Sequence, residues 1–382
     1  YYVTVTDANG CQAVSLYIIK EPLPLTSSIV KTDVRCFGQV ELRPGPGVNV
    51  LVGANGAGKT SVLEALHVLS HARSFRAGPR EALVRRGAPS CHVFAVVEQG
   101  GARHRLGLAR VAGRWEARCD GVAVQRLEEL LRRILVVSFD PGSHALISGG
   151  AEERRAFLDW TLFHVEPDFL GLSRRYRRAL KQRNALLRSA RSTVELDAWD
   201  AELAVAGVAV DALRRRWLAR WGPRLRDCLD RFLAELGPVE LSYVPGWAAG
   251  EALDSVLARS RDRDLSRGHT GSGPHRADWH LEFPEAPSRE HLSRGQAKLS
   301  AMACAMAQAG LLHEVLGYWP IVAVDDLASE LDRVHERVVM EFIQGIDAQV
   351  LVTGTGVSPG WSEQGIATTT FHVEQGTLTR LL

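Results

Sequence analysis

Lysine is nearly missing from this chain, with five residues in 382 against 41 arginines. A lysine inside a motif is therefore a specific choice in a sequence that meets its other cationic needs with arginine. Long apolar runs are missing too. No stretch of roughly 18 apolar residues occurs, which excludes a membrane-spanning helix on hydropathy and sets the expectation of no membrane association. The first residues show neither an initiator Met nor the basic, apolar and small-residue succession of a signal peptide. Cys11, Cys36, Cys91, Cys119, Cys228 and Cys304 stand singly, so neither paired metal-ligand spacing nor a dense disulfide framework is present, and a reducing cytoplasm is the expected setting. The net charge of +2 leaves nucleic-acid binding to be decided by how charge is distributed. A composition that is 46% hydrophobic and 24% charged suits an ordinary globular protein, and the length suits two or three domains.

The one lysine in a glycine-rich setting is Lys59, in the stretch Gly53, Ala54, Asn55, Gly56, Ala57, Gly58, Lys59, Thr60, Ser61. An apolar run, Val48 to Val52, leads into it, broken only by Asn49, and apolar residues at helical spacing follow from Val62 to Leu69. Strand, glycine turn and helix in that order form a phosphate-binding loop. The glycines let successive N–H groups and the helix N-terminus face an anion. Lys59 is expected to reach the outer phosphates of ATP, and the Thr60 hydroxyl to ligate Mg²⁺.

Residues 1–28 read as an unrelated strand-rich segment. Val3–Thr6 and Ser15–Ile19 are strand-like and flank the turn signal Asp7-Ala8-Asn9-Gly10. The segment looks like the end of a bacterial surface β-sandwich repeat, and a fusion or artefact is expected. Residues 29–150 form the first lobe: two strands, a Pro-Gly turn, the phosphate loop, and three further strand-like runs at 91–98, 103–110 and 114–119 that form an antiparallel meander. Residues 151–265 read as a helical arm. Residues 266–382 form a second α/β lobe, with a helix near 297–316, apolar strands at Ile321 to Val324 and Gln349 to Thr353, and an edge near Phe371 to Val373.

Within the arm, residues 171–226 carry 14 Arg and Lys against five Asp and Glu, a local excess of +9. Charge so concentrated suits a stripe that tracks a phosphate backbone. Arg174, Arg175, Arg178, Lys181 and Arg183 are the expected DNA contacts, although a solvated helix face has the same composition. Tyr176, Trp199, Trp217 and Trp221 fall at helical spacing and read as core.

Two further pieces complete a nucleotide site. The strand ending in Asp325-Asp326 delivers one carboxylate, Asp325, for Mg²⁺ and a second, Asp326, to polarise the attacking water. Ser293, Arg294, Gly295 and Gln296 open a helix, where hydroxyl, N–H groups and dipole form a second anion site. One monomer does not need two γ-phosphate cradles. The second is therefore expected to complete the site of another copy, sandwiching ATP at a two-fold interface, with Ala328 to Asp332 at the same interface.

The arrangement resembles the ATP-binding-cassette ATPases of the SMC and Rad50 type. The resemblance rests on GANGAGKTSVLEALHVLSHARSFR (53–76), FDPGSHALISGGAEERRAFLDW (139–160), YRRALKQRNALLR (176–188), GPHRAD (273–278), LSRGQAKL (292–299) and VDDLASELD (324–332). It runs from about Ile29 to the C-terminus. Asp-Asp in place of Asp-Glu, and LSRGQ in place of LSGGQ, are similar to the recombination-mediator branch of that family. Two positions depart from the wider pattern. Phe139-Asp140-Pro141 stands where many relatives carry a lobe-coupling glutamine, and Thr353-Gly354-Thr355 where transporters carry a histidine.

The resemblance implies a two-lobed α/β ATPase head with an antiparallel β meander and a short inserted helical arm. It implies slow ATP hydrolysis coupled to homodimerisation, with Lys59 and Asp326 catalytic. It also implies ATP-dependent binding of duplex DNA at single-strand gaps, and recombinase loading through a RecR-like partner. An ATP-gated DNA clamp in which hydrolysis only resets the dimer is a second reading. A transporter ATPase is a third, and gapped DNA rather than membrane components stimulating hydrolysis separates it from the others.

Overall fold

The structure, a computed structural model, describes residues 3–6, 12–15, 26–76, 83–99, 101–189, 193–286, 288–327, 331–357 and 367–381. Its contacts divide the chain into two units, residues 1–143 with 301–382, and residues 144–300.

In chain order the first unit opens with a hairpin of β1 (Val3–Thr6) and β2 (Gln12–Ser15), antiparallel with Val3 opposite Ser15. The second strand thus starts before the expected run, of which Leu16 to Ile19 lie outside the described residues. There follow β3 (Thr26–Val34), β4 (Phe37–Leu42), β5 (Val48–Val52), α1 (Lys59–His71), β6 (Ser90–Gln99), β7 (Ala102–Val111), β8 (Arg114–Cys119), β9 (Val122–Ala123), α2 (Leu127–Leu131) and β10 (Val136–Phe139). The second unit contains α3 (Ala145–Ser148), α4 (Ala151–Val165), α5 (Phe169–Ser189), α6 (Thr193–Phe232), β11 (Glu240–Val244), α7 (Leu253–Arg259), α8 (Arg261–Arg267), β12 (Asp278–Glu282) and the start of α9 (Arg294–Leu316). The chain ends in the first unit with β13 (Ile321–Val324), α10 (Arg333–Gln344), β14 (Val350–Gly354), β15 (Thr368–Glu374) and β16 (Thr377–Arg380).

Two six-stranded sheets organise the first unit. One is antiparallel in the order β4-β3-β6-β7-β8-β9; the other runs β10-β13-β14-β5-β15-β16 and is parallel except for its last strand. Alternation of polar and apolar residues in β7 and β8 gives the first sheet one face for the core. All five residues of β5 and all four of β13 are buried, as strands of a covered parallel sheet require. Here β15 pairs with both β5 and β16, so Phe371 to Val373 are interior to the sheet, and β16 supplies the edge instead.

The helix α1 is buried nearly all round. Leu63, Leu66 and Leu69 share one core with Val93 and Leu106 of the antiparallel sheet and with Leu51, Ala323 and Leu351 of the parallel sheet. The phosphate-loop helix is thus clamped between two sheets. Asn49, the polar interruption in β5, is buried and is explained by a turn contact: its Oδ1 accepts from Gly45 N at 2.7 Å and its Nδ2 donates to Gly45 O at 2.9 Å and Gly47 O at 3.1 Å. It thereby holds the Pro-Gly turn that aims the strand.

Helices dominate the second unit. Trp221 and Trp279 meet edge to face at 5.3 Å in its core, with Phe157 alongside Trp221 at 5.5 Å. Among the described residues one helix, α9, is long and apolar enough to cross a membrane, but 72% of its apolar window is buried inside the protein, as in a core helix.

Candidate nucleotide site and its surroundings

The loop after β5 needs its glycines for specific reasons. Gly53 has φ 157°, and a Cβ there would stand 2.1 Å from Val373 O; Gly58 has φ 110°, and its Cβ would stand 2.4 Å from the Phe37 ring. Side chains are excluded by backbone and by a buried aromatic. Gly58 is the residue before α1, and no side chain caps that end; Ser61 N donates to Gly58 O at 2.9 Å, and the first N–H groups of the helix take no side-chain acceptor. The Lys59 ammonium folds back over the loop and donates to Gly53 O at 2.8 Å and Ala54 O at 3.0 Å.

Behind the loop the second expected element arrives from far along the chain. Because β13 and β14 lie between β10 and β5 in one parallel sheet, the end of β13 meets the start of α1. Thr60 Oγ1 donates to Asp325 Oδ1 at 2.9 Å, and Thr353 Oγ1 donates to the same oxygen at 2.6 Å. Thr353 Oγ1 in turn accepts from Asp326 N at 2.8 Å. Asp325 is 2% exposed. Burial pushes its carboxyl above the ordinary carboxylate range, the two hydroxyl donors pull it down, and the neighbouring Asp326 adds to the rise. Asp326 takes a left-handed φ of 55°, a conformation that turns the chain sharply between the two acids.

These groups open onto a cavity of about 340 Å³ lined by Lys59, Thr60, Ser61, Asn55, Asp326 and Thr353, with Arg35, Cys36 and Arg76 on its other wall. Arg35 and Arg76 are held there by Glu64, a carboxylate wholly buried on α1. Arg35 forks onto it, Nε to Oε2 at 2.9 Å and Nη2 to Oε1 at 2.6 Å, Arg76 lies 3.8 Å away, and Ser74 donates at 2.5 Å. Two arginines on one buried acid leave a net cationic wall. Hard oxygens from Thr60 and Asp325 are of the kind that suits Mg²⁺. Among the described residues no group of three His, Cys, Asp or Glu side chains could hold a metal.

Sequence reasoning names the loop and the acids but misses this wall. Arg35 and Cys36 are in the turn between β3 and β4, where Arg35 has φ 55°; a charged residue in a tight two-residue turn was the only signal. Thr353 is read from the sequence as a strand end and as the position where transporters carry a histidine, but its bond to Asp325 is not foreseen.

In the second unit, Ser293 is the residue before α9 and lies exposed with Arg294 and Gly295. Its Oγ accepts from Gln296 N at 3.2 Å, while Gln296 Oε1 accepts from Ser293 N at 3.0 Å. This is a reciprocal capping box. It explains the serine and the glutamine as helix-starting residues, and it leaves the Ser293 hydroxyl proton available as a donor. Of the stretch 328–332, residues 328–330 lie outside the described residues; Asp332 caps α10, accepting from Val334 N at 2.9 Å and His335 N at 3.0 Å.

The motif at 273–278 proves to be an anchor for three arginines. Arg154 grips Asp278 with two bonds, of 2.6 and 2.9 Å, and donates to Gly149 O at 2.9 Å; Arg155 donates to Ala277 O at 2.8 Å; Arg214 donates to Pro274 O at 2.7 Å. His275 Nε2 faces Thr270 O at 3.1 Å and so carries the proton, and its Nδ1 accepts from the Tyr176 hydroxyl at 2.6 Å. Burial holds this histidine down to about 4, in its neutral form.

The five expected DNA contacts separate. Arg174, Arg175, Arg178 and Lys181 are exposed on α5. Arg183 is not: it is 0% exposed and donates to Asp200 at 2.5 Å, Asp264 at 2.7 Å and Thr270 at 2.9 Å. The expectation for Arg183 is therefore corrected. Two carboxylates claim the guanidinium for the helical core, and helical periodicity turns it away from the exposed face. The aromatic expectation divides too. Tyr176, Trp217 and Trp221 are core residues, whereas Trp199 is half-buried and lines a cleft of about 560 Å³ with Arg174, Arg175, Arg178, Ala198 and Glu202.

Comparison with known proteins bears on both units. The family model of the RecF/RecN/SMC N-terminal domain matches residues 26–358. The DNA replication and repair protein RecF of Xanthomonas oryzae pv. oryzae (strain MAFF 311018) is 48% identical over 349 residues, 90% of this chain and 96% of that protein. The protein of the same name from Pseudomonas syringae pv. tomato is 39% identical over 361 residues, 93% of this chain and 98% of its own. Among solved structures, the ATP-bound recombination mediator protein RecF of the RecFOR pathway superposes with a TM-score of 0.85 at 24% identity, covering 94% of this chain and 98% of that one. The Smc head bound to the C-terminal winged-helix domain of ScpA gives 0.59 at 13% identity. The fold is that of these ATPase heads, α/β with an antiparallel meander and an inserted helical arm. The chain belongs to the RecF family of DNA replication and repair proteins, within the RecF/RecN/SMC group.

Proposed function

We propose that this chain is an ATP-dependent DNA-repair switch whose nucleotide site is completed by a second copy of itself. The observation that carries the reading is the cavity that brings Lys59, Thr60 and Asp326 together, with Asp325 behind it, from segments more than 260 residues apart. Main-chain N–H groups of Gly53 to Ser61 and the Lys59 ammonium bind the phosphates of ATP. Thr60 and Asp325 hold Mg²⁺, which neutralises charge on the phosphate oxygens when bound. Asp326 accepts a proton from the attacking water, and Arg35 and Arg76 add positive charge to the wall facing it.

The Ser293 hydroxyl, with the N–H groups of Arg294, Gly295 and Gln296, donates to the terminal phosphate bound by a partner copy, so ATP holds the dimer closed. The domain reading that goes with this role has a first lobe at 29–150, an arm at 151–265 and a second lobe at 266–382. Arg174, Arg175, Arg178 and Lys181 contact DNA phosphates. The dimer binds duplex at single-strand gaps in the cytoplasm, is stimulated weakly in hydrolysis by that DNA, and promotes recombinase loading through a RecR-like partner. These DNA roles rest on family membership and on the exposed arginines of α5.

The test is the mass of the protein in solution with and without ATP and Mg²⁺, each in the presence and absence of gapped duplex. A dimer that forms only with ATP and binds the duplex is the expected result. A monomer under every condition rejects the shared site.

A further inference from the structure

The cleft between α5 and α6 adds to the basic face of α5 a recess with an indole in it, which phosphate contacts to a duplex do not use. Its walls are Arg174, Arg175 and Arg178 from α5 and Ala198, Trp199 and Glu202 from α6. Three guanidiniums face one carboxylate, and that carboxylate is committed to Arg175, whose Nη2 donates to Glu202 Oε2 at 2.6 Å. The fork holds Arg175 in place, and the lining as a whole sets three cations against one anion. Into this setting α6 inserts an indole that the helical core does not take up. Trp217, Trp221 and Trp279 are each 3% exposed or less, but Trp199 remains half-buried at the recess.

A duplex offers phosphates to such a surface, but its bases are stacked and paired and cannot enter a recess. An unpaired strand offers both groups at once: a planar base for the indole and a phosphate for the guanidiniums. The volume of about 560 Å³ accommodates one nucleotide with its sugar.

We propose that this cleft binds a nucleotide of single-stranded nucleic acid, its base stacked on Trp199 and its adjoining phosphate bound by Arg174 and Arg178. The inference rests on the DNA-binding reading above and adds to it a separate site for the unpaired strand. A protein that meets DNA where duplex gives way to single strand has in this cleft a means of recognising the unpaired side.

The experiment titrates full-length protein, with ATP and Mg²⁺, into a fluorescein-labelled thymidine oligonucleotide and, separately, into a blunt duplex of the same length, following anisotropy. Trp199→Leu should weaken oligonucleotide binding by roughly tenfold, Trp199→Phe should restore most of it, and both should leave duplex binding within about twofold. Replacing Arg174 and Arg178 with Gln should lower the salt dependence of oligonucleotide binding by about 0.7 in log–log slope for each phosphate that is no longer neutralised. Oligonucleotide binding unchanged by Trp199→Leu overturns the proposal. So does a parallel loss of duplex and oligonucleotide binding, which makes the cleft a duplex-binding surface. Failure to bind the oligonucleotide, together with saturable quenching of Trp199 by a polyglutamate peptide, also overturns it and assigns the cleft to an acidic protein segment. Oligonucleotide binding that depends on Trp199, in a protein that never binds duplex with ATP, upholds the cleft and removes the wider functional reading.

Discussion

Thr60 Oγ1 lies 2.9 Å from Asp325 Oδ1, a single hydrogen bond that ties the first turn of the phosphate-loop helix to the end of a strand at the far end of the sequence. The bond exists because β5 and β13 are held in one parallel sheet by β14, whose Val352 pairs with both Val50 and Val324. Lys59, one residue before Thr60, is the cation that the loop itself holds. Replacing Lys59 with Ala removes the charge but leaves the buried core of α1 intact. Hydrolysis should fall by roughly 100-fold or more and ATP-induced dimerisation should disappear, with the melting temperature in the absence of nucleotide nearly unchanged. Isothermal titration with ATP and sedimentation check it; undiminished affinity rejects the loop as the nucleotide site.

Asp326 lines the cavity while Asp325 is sealed behind Thr60, so the two acids should respond differently. Asp326→Asn keeps the shape, and its main-chain N–H still donates to Thr353, but it cannot accept a proton. ATP binding should persist, turnover should drop by about 100-fold or more, and the dimer should accumulate with ATP. If DNA is released from this variant at the parental rate, hydrolysis is not what resets the dimer.

Ser293 is a helix cap on the observed geometry, and its proposed second role needs a substitution that separates the two. Aspartate is as good a cap as serine, so Ser293→Asp should preserve folding, whereas alanine costs about 1 kcal/mol. The aspartate, however, presents a negative charge where a partner's terminal phosphate would arrive. Monomeric ATP binding should be normal and the ATP-dependent dimer absent. A normal dimer from Ser293→Asp means that the capping box is all this motif does.

The loop, the paired acids and the capping serine were legible because each is a local pattern of residue types at fixed spacing. Their wall was not. Arg35, Arg76 and Glu64 come together only after β3 and α1 pack in one core, and nothing in the spacing of an arginine in a turn and a glutamate in an apolar helix announces it. The same limit explains Arg183 and Trp199. Charge density placed both in a basic segment, but the direction each faces depends on Asp200 and Asp264, on the one hand, and on the open recess beside α5, on the other.

Arg183 gives a prediction about stability and not about DNA. Asp200 also holds Arg261 at 2.6 Å, but the wholly buried Asp264 has Arg183 as its cation, so truncation leaves that carboxylate unpaired in the core. Arg183→Ala should therefore lower stability by about 3–5 kcal/mol, read from urea unfolding. Duplex affinity per folded molecule should not change. A stable variant with weakened DNA binding would return Arg183 to the nucleic-acid surface.

His67 ties the phosphate-loop helix to pH. Its ring stacks on His71 at 3.8 Å, its Nδ1 is 3.0 Å from Ser138 Oγ, and burial, aided by the charge of Arg73, pushes it down to about 3 from an ordinary value of 6.5. The folded protein thus keeps His67 neutral where the unfolded chain takes up a proton. A depressed value of this kind contributes stability that is complete above 6.5 and is lost as pH falls toward the folded value, by about 1.4 kcal/mol per pH unit. His67→Gln retains a partner for Ser138 and removes the titration. Its unfolding free energy should therefore decline less steeply than the parent's between pH 6.5 and pH 4, roughly by that increment per unit, while His275 contributes its own slope equally to both proteins. Parallel curves for the two proteins over that interval would mean that His67 is protonated in the folded state and that α1 tolerates the charge.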